Sequence, residues 1–367
     1  MSGSRRWTVL CGAVACIAAF IMSLAPERAR PDASPAATAG ITAQTALERL
    51  FTAESISEDW FTPEFLKAVT TTQFTQIIVQ IKSQLGAYRG VRAQGDKFRI
   101  SFARGEDTAT INLREGRIAG LFFQAPEQKV ANLDAAVAEF TKLPGKVSLD
   151  VLADGEQRAS LRPDLTLAVG SAFKLAIAAA LQQRVDQKRL QWGQALSLQP
   201  SLKSLPTGIL QAWPDGAQLS VYSLAALMIS QSDNTAADML ANYLGRPAVE
   251  AFSQADHPML RTREAFVLKD PKNADLLERW RHGSAAQRRH VLDDADRRAL
   301  PAVSIFDNGP LAPDVEWFFS ARELCGLMQR VADLSFMSIT PGVADPGDWK
   351  KVAYKGGSEP GVLNFTT

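Results

Sequence analysis

Ser171 and Lys174 stand three residues apart at the start of an almost wholly apolar stretch, which is predicted to be a buried helix as far as Leu181. Residues at that spacing lie on one face of a helix, so the amine can reach the hydroxyl. A buried amine has a lowered pKa and can accept the proton of a serine, which is otherwise a poor nucleophile. The pair therefore predicts a nucleophilic serine at a helix start. The alternative is a helix-capping serine beside a lysine that extends to the solvent.

A second polar cluster separates two apolar segments that are both predicted to be helices. It consists of Ser232, Asp233 and Asn234, and the helix after it ends at Gly245. Taken alone, these residue types are typical of any junction between helices, where they bind free backbone groups.

A lysine followed by glycines forms the third segment. Within residues 352–358, Lys355 is predicted to end a strand, and Gly356 and Gly357 after it would let a ligand approach the backbone closely. Such a corner suits an oxyanion and a carboxylate. The alternative is a lysine in a glycine-rich turn that binds nothing.

Together the three segments resemble, in type and in order, the Ser-x-x-Lys, Ser-Asp-Asn and Lys-Thr-Gly motifs of class A β-lactamases and penicillin-binding proteins. The resemblance covers roughly residues 130–365. It implies an α/β serine β-lactamase fold, also found in DD-peptidases, with an antiparallel sheet flanked by helices. It also implies chemistry through an acyl-enzyme on a serine.

The resemblance assigns a role to each matching residue. Ser171 would be the acylated nucleophile, Lys174 its proton partner, and Ser232 the proton shuttle to the leaving nitrogen or oxygen. The backbone N–H groups of Ser171 and Ser358 would form the oxyanion hole. Asp233 is expected to be structural. Residues implied to contact the substrate are Asn234, which would bind its amide, Lys355, which would supply positive charge, Gly357 and Ser358.

Two departures from the family pattern leave the substrate and the water-activating base open. The Glu-x-x-x-Asn motif of class A β-lactamases has no good match, and Glu264 is either the base or a helix N-terminal charge paired with Arg261 or Lys269. Gly356 replaces the hydroxyl residue that would help to bind a β-lactam carboxylate.

The elements around these motifs fit the same fold. Residues 147–152 and 157–161 predict a hairpin across an Asp-Gly turn shortly before Ser171. Residues 270–300, with their blocks of Arg and Asp, are expected to be an exposed helical insertion. Because His282 and His290 have no carboxylate at metal-ligand spacing, we predict no metal, and no other cofactor is indicated.

A smaller α+β domain is predicted over residues 44–126, ahead of the serine hydrolase domain of residues 130–367. Three helical segments precede four strands that form an antiparallel meander. The element order resembles the ketosteroid isomerase type. The combination resembles a clavulanic-acid-pathway accessory family, which implies ester or weak β-lactam hydrolysis. We expect a structural or binding role for the small domain.

The N-terminus predicts export. Arg5 and Arg6 precede an uncharged stretch, so residues 1–26 are interpreted as a signal peptide or a membrane anchor, and residues 27–43 as a flexible linker. The expected location is periplasmic or extracellular. Cys11 and Cys16 lie in the apolar stretch, which leaves Cys325 alone in the mature chain, so no intramolecular disulfide is expected there.

The composition of the chain indicates which kinds of partner it is not suited to bind. Hydrophobic residues make up 46% of the chain, and 40 basic residues stand against 39 acidic ones, so no net field favours nucleic acid. The strand-like segment 351–365 has no closing element after it, and the C-terminus is expected to be incomplete. The leading hypothesis is an exported serine hydrolase that acts through an acyl-enzyme on a β-lactam or an ester. The alternative is a slowly turning-over penicillin-binding sensor or a cell-wall peptidase.

Overall fold

The computed structural model describes residues 8–9, 41–124, 127–255, 257–344 and 346–367. The chain divides into two compact units, Met1–Pro144 and Gly145–Thr367. Apart from residues 8 and 9, the predicted signal peptide or anchor lies outside the described residues, as do Cys11 and Cys16. No helix among the described residues is long and apolar enough to cross a membrane.

The first unit contains helices followed by a meander of strands, as predicted. Threonines cap three of its helices, Thr42, Thr62 and Thr70, and each hydroxyl accepts a hydrogen bond from the backbone N–H three residues later. The strands are β1 (Thr8–Val9), β2 (Tyr88–Gln94), β3 (Lys97–Phe102), β4 (Gly105–Arg114), β5 (Arg117–Phe123) and β6 (Glu127–Lys129). The helices are α1 (Ala43–Thr52), α2 (Pro63–Ala68), α3 (Thr71–Leu85) and α4 (Leu133–Phe140).

Strands β2 to β5 pair antiparallel in chain order, and β6 joins the start of β4 and pairs with β1. The helices bury an aromatic cluster against this sheet, in which Phe51 contacts Phe102 and Phe123, and Phe61 contacts Phe65. These contacts form a core within the first unit alone.

The second unit combines short antiparallel strand pairs with helices. Its strands are β7 (Leu149–Ala153), β8 (Glu156–Leu161), β9 (Leu167–Ala168), β10 (Ala195–Ser197), β11 (Gln218–Ser220), β12 (Phe318–Phe319), β13 (Lys355–Glu359) and β14 (Val362–Thr366). They pair as β7 with β8, β9 with β12, β10 with β11 and β13 with β14. Its helices are α5 (Lys174–Asp186), α6 (Val221–Ser230), α7 (Asn234–Leu244), α8 (Arg246–Glu250), α9 (Thr262–Lys269), α10 (Ala274–His282), α11 (Ala285–Ala295) and α12 (Ala321–Val331).

Helix α5 is the centre of this unit. Every residue from Lys174 to Leu181 is buried, so the helix has no solvent-facing side over its first two turns, as the apolar sequence predicts. It packs against α7, α8 and α12. The predicted hairpin before it is confirmed, since Asp154 and Gly155 form the turn between β7 and β8 with φ of 56° and 80°.

The predicted helical insertion consists of α10 and α11, but it is not exposed throughout. His282 and His290 lie on its outer surface, whereas Trp280, Val291 and Leu292 are buried in the core of the unit. Helix α10 is amphipathic, and α11 buries Val291, Leu292 and Ala295. The insertion therefore packs against the unit through one apolar face.

A buried ion cluster joins the end of α9 to β13. The Lys269 amine donates to Glu316 at 2.5 Å and to both carboxylate oxygens of Glu359, at 2.6 and 2.7 Å. Lys269 and Glu316 are almost fully enclosed. Burial, together with the neighbouring Glu359, raises the pKa of Glu316 to about 8. One positive charge therefore faces two carboxyl groups, and Glu316 keeps its proton at neutral pH.

We expect this cluster to make stability fall as the pH rises. The pKa of the Glu316 carboxyl is about 4.5 in the unfolded chain and about 8 in the folded one. The free energy of unfolding therefore falls between these two pH values, by at most about 1.4 kcal/mol per pH unit. Glu316→Gln should flatten the decline in the thermal unfolding midpoint with pH, whereas the exposed Glu156→Gln should leave it unchanged. An equally steep decline in Glu316→Gln would contradict the assignment.

Candidate active site

Ser171 lies in a tight 3-10 turn, Gly170–Phe173, immediately before α5. Ser171 therefore lies at a helix start, as predicted, but its own turn is 3-10 and the α-helix begins at Lys174. Gly170 has φ of 51°, a left-handed conformation that interrupts regular helix geometry. The sequence showed only the apolar run, which does not distinguish a 3-10 turn from the first turn of an α-helix.

The Lys174 side chain is fully enclosed and lies among four oxygen atoms. Its Nζ is 3.1 Å from Ser171 Oγ, 3.1 Å from Ser232 Oγ, 2.6 Å from the Ser232 carbonyl oxygen and 2.6 Å from Asn234 Oδ1. A lysine that extends to the solvent, the alternative interpretation, is inconsistent with this burial. The amine is in reach of both serine hydroxyls at once.

The surroundings of Lys174 favour its neutral form. Burial is the main cause that holds the pKa of the amine well below its usual value, and the positive charge of Lys355 lowers it further. The charges of Asp238 and Asp233 act in the opposite direction but more weakly. An amine without its extra proton can accept the proton of Ser171, so the geometry and the charge state agree.

Ser232 is held in an unusual backbone conformation between α6 and α7. Its φ is 54°, which is uncommon for a residue with a side chain. The Thr207 hydroxyl donates to the Ser232 carbonyl oxygen at 2.6 Å, and Lys174 donates to the same oxygen. The Ser232 hydroxyl lies 3.0 Å from the amine of Lys355 and so stands between two lysines. Thr207 was not predicted, because nothing near it in the sequence marks it.

Asp233 fixes this junction, as predicted for a structural residue. One carboxylate oxygen caps α7 by accepting from the Ala236 N–H at 2.8 Å. The other accepts from the N–H groups of Ile209 and Leu210 at 2.7 and 3.0 Å. The loop passes so close that a Cβ on Gly208 would lie 2.2 Å from the carboxylate, which explains the glycine there.

Asn234 uses both ends of its amide inside the chain. Its oxygen accepts from Lys174 at 2.6 Å, and its nitrogen donates to the carbonyl oxygen of Leu205 at 3.0 Å. The structure therefore places Asn234 as a partner of Lys174. A contact between Asn234 and the substrate amide remains a prediction.

Lys355 begins strand β13, so the prediction that it ends a strand is wrong. Pairing with β14 continues from Lys355 opposite Thr366 through Gly356 and Gly357, because the backbone ladder does not need side chains. Its Nζ is 3.0 Å from Ser232 Oγ and donates to the Gly356 carbonyl oxygen at 2.6 Å. Burial lowers the pKa of Lys355 to about 8, so the amine is still largely charged at neutral pH.

Gly357 allows β13 to touch the turn that carries Ser171. A Cβ at this position would lie 2.0 Å from the Val169 carbonyl oxygen and 2.6 Å from the Ser171 nitrogen. A Cβ at Gly170 would lie 3.1 Å from the Ser358 nitrogen. The backbone nitrogens of Ser171 and Ser358 therefore both lie near one close contact between β13 and the turn. An oxyanion hole formed by these two N–H groups remains a prediction.

The cluster of Ser171, Lys174, Ser232 and Lys355 does not include Glu264. The Glu264 carboxylate is fully enclosed, with oxygens 2.6 Å from Arg246 Nη2, 2.9 Å from Arg261 Nη2 and 2.6 Å from the Arg261 backbone nitrogen. This is the predicted alternative, a helix N-terminal charge paired with Arg261, whereas Lys269 pairs elsewhere. Within the described residues no hydrogen bond joins Glu264 to the cluster, so its role as a base remains a prediction without geometric support.

The other candidate groups lie apart from this chemistry. Cys325 is a partly buried free thiol, and burial raises its pKa to about 11, which suits a packing role. His282 and His290 are exposed. Among the described residues, no group of three or more His, Cys, Asp and Glu could hold a metal ion. The groups that remain are the Ser171 hydroxyl and the Lys174 amine, whose pKa is lowered, with the Ser232 hydroxyl and the Lys355 amine next to them.

Comparison with solved structures finds weak overall likenesses. The chain is 21% identical to a β-lactamase from Sphaerobacter thermophilus DSM 20745, over 63% of this chain and 80% of that one, with a TM-score of 0.42. It is 20% identical to a protein described as PBP-A, over 56% of this chain and 67% of that one, with a TM-score of 0.34. It is 19% identical to an ancestral class A β-lactamase, over 57% and 66%, with a TM-score of 0.37.

No curated protein matches the sequence. The model of a family described as the β-lactamase enzyme family matches residues 126–338, a range that contains Ser171, Lys174 and Ser232 and ends before Lys355. The match extends over more than half of the 367 residues. The chain therefore belongs to the β-lactamase enzyme family.

Proposed function

We propose that this protein is an exported serine hydrolase that forms an acyl-enzyme on Ser171 and hydrolyses β-lactams or esters. The observation that carries the proposal is the enclosed Lys174 amine, 3.1 Å from the Ser171 hydroxyl and 3.1 Å from the Ser232 hydroxyl. Export is supported by Arg5 and Arg6 ahead of the uncharged segment 7–26.

In the acylation step, the neutral Lys174 amine takes the proton of Ser171 while Oγ bonds to the substrate carbonyl carbon. The carbonyl oxygen becomes an oxyanion, which the N–H groups of Ser171 and Ser358 stabilise. Their position near the close contact at Gly357 supports this assignment. The oxyanion then re-forms the carbonyl as the bond to the leaving nitrogen or oxygen breaks.

Ser232 returns the proton in this proposal. Its hydroxyl lies between the amines of Lys174 and Lys355, at 3.1 and 3.0 Å. It donates its own proton to the leaving atom and receives the one that Lys174 took from Ser171, so the charges balance over the step. Lys355, charged at neutral pH, keeps the Ser232 oxygen oriented and offers positive charge to an anionic substrate.

Deacylation requires a base that takes a proton from the attacking water. Arg246 and Arg261 hold the Glu264 carboxylate, so the group that resembles the family's base is engaged elsewhere. Lys174 remains the group that can take a proton from an incoming water. This observation favours a second candidate function, a penicillin-binding protein or cell-wall peptidase with slow turnover.

Intact-protein mass spectrometry distinguishes these functions. The protein is mixed with benzylpenicillin, nitrocefin and a p-nitrophenyl ester, and the adduct on the chain is followed over time. We expect an adduct that forms and decays with release of product, and none in Ser171→Ala because the nucleophile is gone. A persistent adduct would favour the slow penicillin-binding function. The absence of any adduct in the wild type would rule out both functions.

The acylation rate should depend on pH through both lysines. It should fall in acid as Lys174 gains a proton, and for carboxylate-bearing β-lactams it should also fall above about pH 8, where Lys355 loses its charge. Because the Lys355 charge lowers the pKa of Lys174, Lys355→Met should move the acid limb to higher pH. Adduct formation measured across the pH range tests this, and an unmoved acid limb would contradict the coupling.

Gly357→Ala should disable the oxyanion site. Its Cβ would lie 2.0 Å from the Val169 carbonyl oxygen, so β13 must move away from the turn. Loss of one donor predicts adduct formation slower by about a hundredfold or more. The control is Gly193→Ala, whose Cβ would meet no atom within 4 Å. Equal rates in the two variants, with both folded by circular dichroism, would argue against this oxyanion site.

A further inference from the structure

The oxygen atoms around Lys174 determine where its lone pair can point. In its neutral form the amine has two N–H groups and one lone pair. The Ser232 carbonyl oxygen and Asn234 Oδ1 can only accept hydrogen bonds, and each lies 2.6 Å from Nζ. They therefore take both N–H groups. The lone pair is left for the hydroxyls of Ser171 and Ser232, which lie 3.1 Å away.

A second donor shares the Ser232 carbonyl oxygen with the Lys174 amine. The Thr207 hydroxyl donates to this oxygen at 2.6 Å, which is also the distance from the oxygen to Lys174 Nζ. A backbone carbonyl oxygen has two lone pairs, so these two donors fill it. Lys174 can therefore direct only one N–H group to this side of its surroundings.

The backbone of Thr207 is held independently of its hydroxyl. Its carbonyl oxygen accepts from the Asn234 N–H at 3.1 Å, and the following residue, Gly208, lies against the Asp233 carboxylate. That carboxylate also accepts hydrogen bonds from two further N–H groups of the same loop. The Thr207 side chain itself is exposed. The loop should therefore stay in place without the hydroxyl, and the bond to Ser232 has a separate role.

We propose that Thr207 is a positioning residue for acylation, whose hydroxyl fills one side of the Ser232 carbonyl oxygen and so keeps the lone pair of Lys174 directed at Ser171. This inference rests on the proposed function and deepens it, because it names a group that orients the base. Thr207 acts through Ser232 and Lys174 and not by contact with the reacting atoms.

The same bond affects the charge state of Lys174. A charged amine binds a carbonyl oxygen more strongly than a neutral one does, so this oxygen favours the protonated form of Lys174. Because the two donors share the electron density of one oxygen, the Thr207 hydroxyl weakens that effect. Removal of the hydroxyl should therefore raise the pKa of Lys174, a result that a purely structural role of Thr207 does not predict.

The test is the pH dependence of adduct formation with p-nitrophenyl acetate, a neutral ester. In Thr207→Val the acid limb should move up by about half a pH unit, and the rate below it should fall about threefold. Because the side chain is exposed, the new methyl group has room to withdraw from the oxygen. Thr207→Ser keeps the hydroxyl and should retain the wild-type profile. An unmoved limb in Thr207→Val, or an equal shift in Thr207→Ser, would overturn the inference.

Thr52 offers a matched control in the first unit. Its hydroxyl donates to the Glu48 carbonyl oxygen at 2.9 Å, so Thr52→Val removes a bond of the same kind that does not involve Lys174. The acid limb should stay where it is in this variant. A lower rate in Thr207→Val at every pH, without a shift of the limb, would mean that Thr207 only supports the fold, and the inference would be wrong.

A carbon-13 NMR titration of the lysine side chains follows Lys174 without any substrate, and Lys174→Met identifies its signal. We expect a midpoint about half a pH unit higher in Thr207→Val than in the wild type. A higher midpoint in a protein that forms no Ser171 adduct would confirm the effect of Thr207 on Lys174 and refute the acyl-enzyme. Equal midpoints in a protein that forms the adduct would refute only the role of Thr207, and equal midpoints without an adduct would refute both proposals.

Discussion

The Lys174 amine lies in the apolar core of the second unit with four neutral oxygen atoms around it. Among the described residues, no carboxylate lies in hydrogen-bond contact with it. The neighbouring carboxylates accept hydrogen bonds from the backbone instead. Asp233 accepts from three N–H groups, and Asp238 accepts from those of Thr262 and Arg263 at 2.7 and 2.8 Å. A buried ion pair would have kept the amine charged. In this arrangement desolvation dominates, and it holds the pKa of the amine beside Ser171 well below its usual value.

Much of the second unit helps to form the surroundings of the Lys174 amine. The fully buried first turns of α5 exclude water from the amine, the left-handed conformation of Ser232 turns its carbonyl toward it, and Asp233 fixes the loop that carries Thr207. Backbone strain at Ser232 costs on the order of 1 kcal/mol and persists because the contacts around it over-determine it. The ion cluster at Lys269 anchors α9 to the far end of β13, the strand whose first residue is Lys355.

Parts of this arrangement could be predicted from the sequence and parts could not. Burial of Lys174 and the hairpin at Asp154 follow from local patterns, whereas the proximity of the three motifs is what their resemblance to the family implies. The 3-10 turn at Ser171 and the start of β13 at Lys355 depend on the close packing of Gly357 against that turn, a tertiary contact that no local pattern records. Glu264 shows the same limit: a glutamate three residues after a helix N-cap fits a capping box and a general base equally well, and only the position of Arg246 distinguishes them.

Lys355 connects substrate binding to base strength. Its charge lowers the pKa of Lys174, and the same charge is the one that an anionic substrate would meet. A bound carboxylate would partly cancel the field of Lys355 at Lys174 and so raise the pKa of the Lys174 amine. The amine would then be a stronger base, but a smaller fraction of it would be deprotonated at a given pH. A neutral ester would leave the field intact and meet a weaker base that is more fully deprotonated. The same cluster should therefore treat the two substrate classes differently even where their carbonyl groups are equally reactive, because the difference arises in the base rather than in the bond that breaks.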